Sequence, residues 1–559
     1  MIWLHAELPD FKVAFFSAKN RLDIAYSASY NRLPLKKHLS IQSSICLLKK
    51  ASEGTAMHAS WMKMSVVGLL AFVLVVTACG GRDSLTVSPG TGMLALARQA
   101  KARGEFTTAT GLYRQARTLL TNEGKNDAAL ECLNSLRDIQ LITAQYPYRL
   151  GETRAMLADA FPQVTPEERE AWITQGKLES TMIDGESRFF SDFISNVKFR
   201  NVDLFRQDAN MYKGFEDHYK LLKQVVDAGP GADPWQPFIR PISYTATCTL
   251  AVPRGKLPAG GTLKLWFPVP IVTGPQRNVS VLSITPMTYV KGSPSIDQDI
   301  GLIYMEVPLS ELTQDLHIVI RFTFDHYEQW FQIDPDRVGA YDRKSDLYLK
   351  YTASCGNIAV TNEIRRTAQT VIGGETNPYR AAKKIYDYVL ATVTYSYMPH
   401  LALWPRGEPE SVYVHRNRYG DCGAQSMYFS ALCRSVGIPA RTTGGWQLFT
   451  GNLSGHFWAE FYLPNYGWIP VDLTAADMAG YLTDVSDEDK KAFQDFFFGN
   501  QDHFRCNVQK DVDVPLIPPS RERPFMTSSI QYPAATCDTM EDDPGIMIMD
   551  YWSTTLSVN

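Results

Sequence analysis

Three side chains able to do nucleophilic chemistry follow one another in this sequence: a thiol at Cys422, an imidazole at His456 and a carboxylate at Asp472. A cysteine alone near a helix start is usually a small buried hydrophobe, and a lone strand histidine is usually structural. The setting gives these three more weight. Gly420 breaks what precedes it, and Ala424 to Cys433 has helical composition with apolar residues at Met427, Phe429, Ala431 and Leu432. Asp421 suits the N-cap, which puts Cys422 in the first turn, where unpaired N–H groups and the helix dipole favour a thiolate. Gly437 and Pro439 end the helix. His456 to Leu463 and Trp468 to Leu473 read as strands joined by the turn Pro464-Asn465-Tyr466-Gly467. Such a hairpin sets His456 and Asp472 on neighbouring strands, so that the carboxylate can orient the ring. The chemistry that fits is attack on an amide carbonyl. For the oxyanion, the backbone N–H of Cys422 at the helix start is the expected donor. Trp404, Tyr395 or Tyr397 could add to it, although packing is the ordinary role of such aromatics.

The stretch resembles the catalytic core of the transglutaminase-like superfamily. The resemblance rests on Gly420-Asp421-Cys422, on Gly437-Ile438-Pro439-Ala440-Arg441, on His456-Phe457-Trp458 and on Gly467-Trp468 leading to Asp472. It implies that Cys422 is the nucleophile, His456 the general base and Asp472 the orienting acid. It covers residues 340–480 and implies an α+β fold with a papain/transglutaminase-like core. No EF-hand pattern is present, so the calcium dependence of animal transglutaminases is not carried over, and neither cofactor nor metal is expected.

The elements that must support this core fall into distinct stretches. The chain has 559 residues, 45% hydrophobic and 20% charged, enough for two to four domains. A net charge of −4 gives no reason to expect a nucleic-acid surface. Nine cysteines without a CxxC pair fit neither a disulfide scaffold nor a zinc site. Val66 to Val76 is apolar behind Lys63 and too short to span a bilayer comfortably, and Thr77-Ala78-Cys79-Gly80 resembles the lipobox of bacterial lipoproteins. Residues 62–79 are therefore expected to be a signal peptide with Cys79 lipidated, and residues 1–61 a spurious or disordered extension.

Residues 80–230 read as helical, with Ala100, Gly104, Phe106, Ala109, Tyr113 and Ala116 at tetratricopeptide-like spacing and no clear second copy. Beyond the turn at Gly229-Pro230-Gly231, residues 235–335 read as a β-sandwich with strands Ser243 to Val252, Thr262 to Pro268, Val279 to Thr285, Gly301 to Val307 and Leu316 to Phe324. Trp266, Pro268 and Gln276 there resemble the β-domain that often precedes the core in bacterial members of the superfamily. Residues 481–559 read as an extension wrapping the core, less ordered at the end.

The expectation is an envelope-facing, lipid-anchored cysteine enzyme. It would form a thioester at Cys422 from a peptide, protein or cell-wall peptide amide and resolve it by water or an amine. The helical region could hold a protein partner. The alternative is a non-catalytic lipoprotein that scaffolds or binds in the envelope.

Overall fold

Four antiparallel strands carry the sheet on which His456 sits, in the order Gly467–Val471, Ser454–Leu463, Ala440–Gln447, Arg505–Gln509. In this computed structural model the described residues are 87–449, 453–526 and 528–559. The hairpin between the first two strands closes because Asn465 (φ 75°) and Gly467 (φ 89°) take the left-handed conformation that these residue types tolerate. Against one face lies the helix Cys422–Ser435, almost wholly buried, with Ala424, Met427, Phe429, Ala431 and Leu432 fully inside. Behind it the helix Pro378–Thr392, capped by Asn377, turns Ala382, Ile385, Tyr386 and Val389 inward, the face its spacing predicts. These side chains share one core with Phe461, Leu463, Ile469 and Val471 of the sheet. Each fully buried Leu, Ile or Phe contributes about 1.5–3 kcal/mol by area, so this cluster fixes how helix and sheet are set against each other.

The fourth strand closes only because position 445 has no side chain. A Cβ on Gly445 would stand 1.8 Å from the carbonyl oxygen of Cys506, a backbone atom that cannot yield without breaking the ladder. The Gly445 register runs to His456 on one side and Asn507 on the other, with a bulge at Gly444. Residues far along the chain thus complete the sheet that bears His456.

Residues 89–228 are mostly helical. Pro89–Ala102, Phe106–Asn122 and Asn126–Gln145 pack around Tyr113 and Leu136, with Ala97, Ala100, Ala109 and Ala116 as the small residues that let the helices approach closely. The helical expectation failed at one place. Ser180–Ile183 and Glu186–Phe189 form a hairpin that also pairs with Tyr148–Arg149. Its turn is Asp184-Gly185, both at positive φ, the dipeptide that suits a two-residue hairpin loop.

Between the helices and the core, Phe238–Val252, Gln276–Thr285 and Leu316–Trp330 lie in one sheet, and Thr262–Pro268 pairs with Leu302–Pro308 in another. Inward residues of both sheets, including Leu250, Ile318, Ile320, Leu265 and Met305, meet in a single apolar cluster. The end of the chain belongs to this region. Trp552–Val558 pairs residue for residue with Tyr244 to Leu250, and Ala534–Thr536 pairs with Lys264 to Trp266. The expectation of a loosely ordered end is therefore corrected. Its β-branched and aromatic residues, Trp552, Thr554, Thr555 and Val558, complete an otherwise open sheet edge. Cys79 and the apolar run before it lie outside the described residues. Among the described residues no helix is long and apolar enough to cross a membrane.

Candidate active site

Asp421 is the N-cap of the helix Cys422–Ser435, its Oδ1 accepting the Ala424 N–H at 3.1 Å. Cys422 is therefore the first helical residue, and its own N–H has no carbonyl within the helix to bond. Gly423 lets the Phe457 ring lie against this turn, 3.2 Å from where a Cβ would stand. The Phe457 N–H reaches the sulfur. The thiol thus abuts the backbone immediately after His456.

His456 is buried, and its Nε2 meets Asp472 Oδ2 at 2.8 Å, leaving Nδ1 as the ring nitrogen available for proton transfer. Asp472 stands one residue past its strand. Extending the register Ala459↔Val471 puts it opposite Trp458, diagonal to His456 on the same face. Its second oxygen accepts the Ala475 N–H at 2.9 Å as the cap of the helix Leu473–Asp477.

Asp472 has a further partner that sequence reasoning missed. Arg505, fully buried on the fourth strand, donates to Asp472 Oδ2 at 2.6 Å and, through its other nitrogens, to Asp502 at 2.7 and 3.1 Å. Its guanidinium also lies 5.1 Å from the centre of the Trp458 ring. Burial alone would raise the Asp472 carboxyl, but the charges and hydrogen bonds of His456 and Arg505 hold it well below the usual carboxylate range. Asp472 is thus an ionised partner for His456 throughout the neutral range.

The expectation of a thiolate at the helix start is corrected. Cys422 is half-buried, with protein crowding the sulfur, and burial pushes the thiol well above its ordinary value. The Asp421 carboxylate pushes the same way, while the N–H groups of Phe457 and Gly423 oppose them and do not win. A helix dipole is worth only about 0.3–1 kcal/mol, too little to offset removal of an anion from water.

Of the aromatic candidates, Trp404 packs with Leu141, Leu401 and Phe525, with Arg523 4.9 Å from its ring centre. Tyr395 stands nearer to the thiol. It pairs in register with Gly420, two residues before Cys422, and its hydroxyl is driven up by burial and then by the neighbouring Cys422. Gln531, also unforeseen, donates to the carbonyls of His456 at 3.0 Å and Gly445 at 2.9 Å, tying the C-terminal segment to the two strands. Among the described residues no group of His, Cys, Asp or Glu is arranged to hold a metal ion, and the seven cysteines are free thiols.

Part of the chain is similar to known proteins. Residues 365–473, from the helix Asn362–Ile372 through Asp472, match the family model of the transglutaminase-like superfamily. This segment is a transglutaminase-like core. An uncharacterized protein of Haemophilus influenzae is 24% identical over 352 residues, 56% of this chain and 91% of the relative. The uncharacterized protein YebA of Bacillus subtilis is 24% identical over 186 residues, 30% of this chain and 25% of YebA. Among solved structures, a candidate cysteine protease of Cytophaga hutchinsonii is 14% identical with a TM-score of 0.35, covering 57% of this chain and 91% of the other. The periplasmic domain of TgpA from Pseudomonas aeruginosa is 13% identical with a TM-score of 0.22, covering 42% and 87%. The transglutaminase-like core holds Cys422, His456 and Asp472, while Arg505 and Gln531 come from beyond the matched segment.

Proposed function

We propose that the protein is a cysteine-dependent enzyme that breaks a peptide or protein amide through a thioester at Cys422. The observation that carries this reading is the ionised Asp472 bonded to His456, with the thiol packed beside the next residue of the same strand. Because Cys422 rests as a thiol, His456 Nδ1 takes the Sγ–H proton as sulfur attacks the carbonyl carbon. The carbonyl becomes an oxyanion facing the helix-start N–H of Cys422, with the Tyr395 hydroxyl a second candidate donor. The C–N bond then breaks, the amine leaves with the proton held on His456, and the acyl group remains on sulfur. Water, deprotonated by His456, releases the acid and restores the thiol, or an amine takes its place and a new amide forms.

Residues 235–335 read as a β-sandwich with a positional role beside the core, and the helical residues before them as a tetratricopeptide-like unit able to hold a protein partner. The lipobox-like run ending at Cys79 supports attachment to a membrane on the envelope side, where cell-wall stem peptides are among the amides within reach.

A scaffold or binding lipoprotein is the second reading, favoured by one observation, the raised Cys422 thiol. A panel of peptide amides and cell-wall stem peptides separates the two. Release of amine by the wild-type protein, with loss of that release in His456→Ala, supports the enzyme. Tight binding of peptide with no amine released in either protein supports the scaffold.

A further inference from the structure

His400 is buried in the core, 22 residues before Cys422, and is occupied on both ring nitrogens. Nδ1 meets Glu410 Oε1 at 2.6 Å and Nε2 meets Asp421 Oδ2 at 2.6 Å. The other oxygen of Asp421 caps the nucleophile's helix at the Ala424 N–H. The ring therefore holds one end of a carboxylate whose other end fixes the turn that carries Cys422. Glu410 is set in turn by its own helix, Glu410–Asn417, whose first N–H is bonded to Asn357.

We propose that His400 is a positioning residue for the Cys422 thiol, bridging Glu410 and Asp421 so that the helix cap is fixed and the carboxylate charge beside the sulfur is balanced.

Burial would drive this ring neutral, but Glu410 and then Asp421 raise it to about 10, so it is a cation at neutral pH. The neighbouring groups make the balance matter. Asp421 and Asp472 both raise the thiol, and Tyr395 faces it from the pairing beside Gly420. Asp513 is itself raised to about 6, first by burial and further by the Glu410 charge. Without the His400 cation, the Asp421 carboxylate would stand uncompensated beside the sulfur, with Glu410 uncompensated behind it. The proposal rests on Cys422 being the reacting thiol, and its test does not need turnover.

The test is the rate of Cys422 alkylation by iodoacetamide from pH 7 to 9, read by peptide mass because Cys355 is exposed and also reacts. The wild-type rate should climb about tenfold per pH unit, as for a thiol titrating above this range. His400→Gln should slow it about tenfold at pH 8, the effect of one unit of pKa from losing a nearby opposite charge. Asp421→Asn, which keeps a capping side chain, should speed it at least about threefold. The double variant should return to within about threefold of wild type. Should His400→Gln fail to fold, Glu410→Gln takes its place: the His400 cation then answers Asp421 alone and the rate should rise about threefold, whereas an unchanged or slower rate there overturns the proposal. An unchanged or faster rate in His400→Gln, or a slower one in Asp421→Asn, overturns the proposal. These shifts in a protein that turns over no amide would sink the enzymatic reading and leave the His400 assignment standing. Turnover without the shifts would do the reverse.

Discussion

Replacing Cys422 by alanine will abolish amide turnover while leaving the fold in place. The loss should be at least about 10⁴-fold, because every step of the proposed reaction passes through a bond to sulfur and the surviving base and oxyanion donors cannot replace it. Stability should change little. Cys422 is half-buried at the first position of its helix, alanine suits that position, and the cap bond from Ala424 to Asp421 does not involve the sulfur. A cost of about 1 kcal/mol is the expected size for such a truncation. Circular dichroism and a thermal melt separate a dead enzyme from an unfolded one. Serine in place of cysteine should be nearly as inactive, since His456 is placed for a larger, more acidic thiol.

Arg505→Met should be among the most destabilising single changes in the molecule. The guanidinium is fully buried and is shared by Asp472 and Asp502, both also fully buried. Removing it leaves two carboxylates without their common cation, which costs about 3–5 kcal/mol when one partner of a buried ion pair is deleted. The melting temperature should fall by at least about 5 °C. Adding Asp502→Asn should recover part of the loss, because one unpaired charge is then gone. The pH dependence follows from Asp472. Its folded-state carboxyl lies below the unfolded value near 3.9, so its stabilising contribution is complete above about pH 4 and is lost as pH falls towards the folded pKa. The stability gap between wild type and Arg505→Met should therefore hold from pH 5 to 8 and narrow on acidification. A gap that is absent at pH 7 would mean that Arg505 does not hold Asp472.

These two residues also mark how far the sequence could be read. Cys422 was legible because its signals are local: a capping aspartate, flanking glycines and ten residues of helical composition lie within one short stretch. The hairpin carrying His456 was legible for the same reason, through alternating strands and a four-residue turn. The five strands of residues 235–335 fell within a few residues of their observed bounds, apart from the long extensions at Phe238 and Trp330. Arg505 was not legible. It lies 33 residues beyond Asp472 in a run of aromatic and polar residues, and only the missing side chain at Gly445 admits its strand. A glycine pair in a strand signals close backbone approach without saying what approaches. His400 was hidden likewise, since nothing near Pro399 announces a partner at the cap 21 residues later. The thiolate expectation failed for an electrostatic reason. Helix position is read from sequence, but the packing of Phe457 and Tyr395 about the sulfur is not, and burial outweighs the dipole.

The central claim is that sulfur at position 422 carries the acyl group. Its most direct measurement is the intact mass of the protein, quenched in acid during turnover of a slow peptide amide, followed by mapping of the added group. The account predicts one acyl group on Cys422, released by hydroxylamine, and none in Cys422→Ala. Turnover with no adduct on Cys422, or an adduct that persists in the alanine variant, would contradict it.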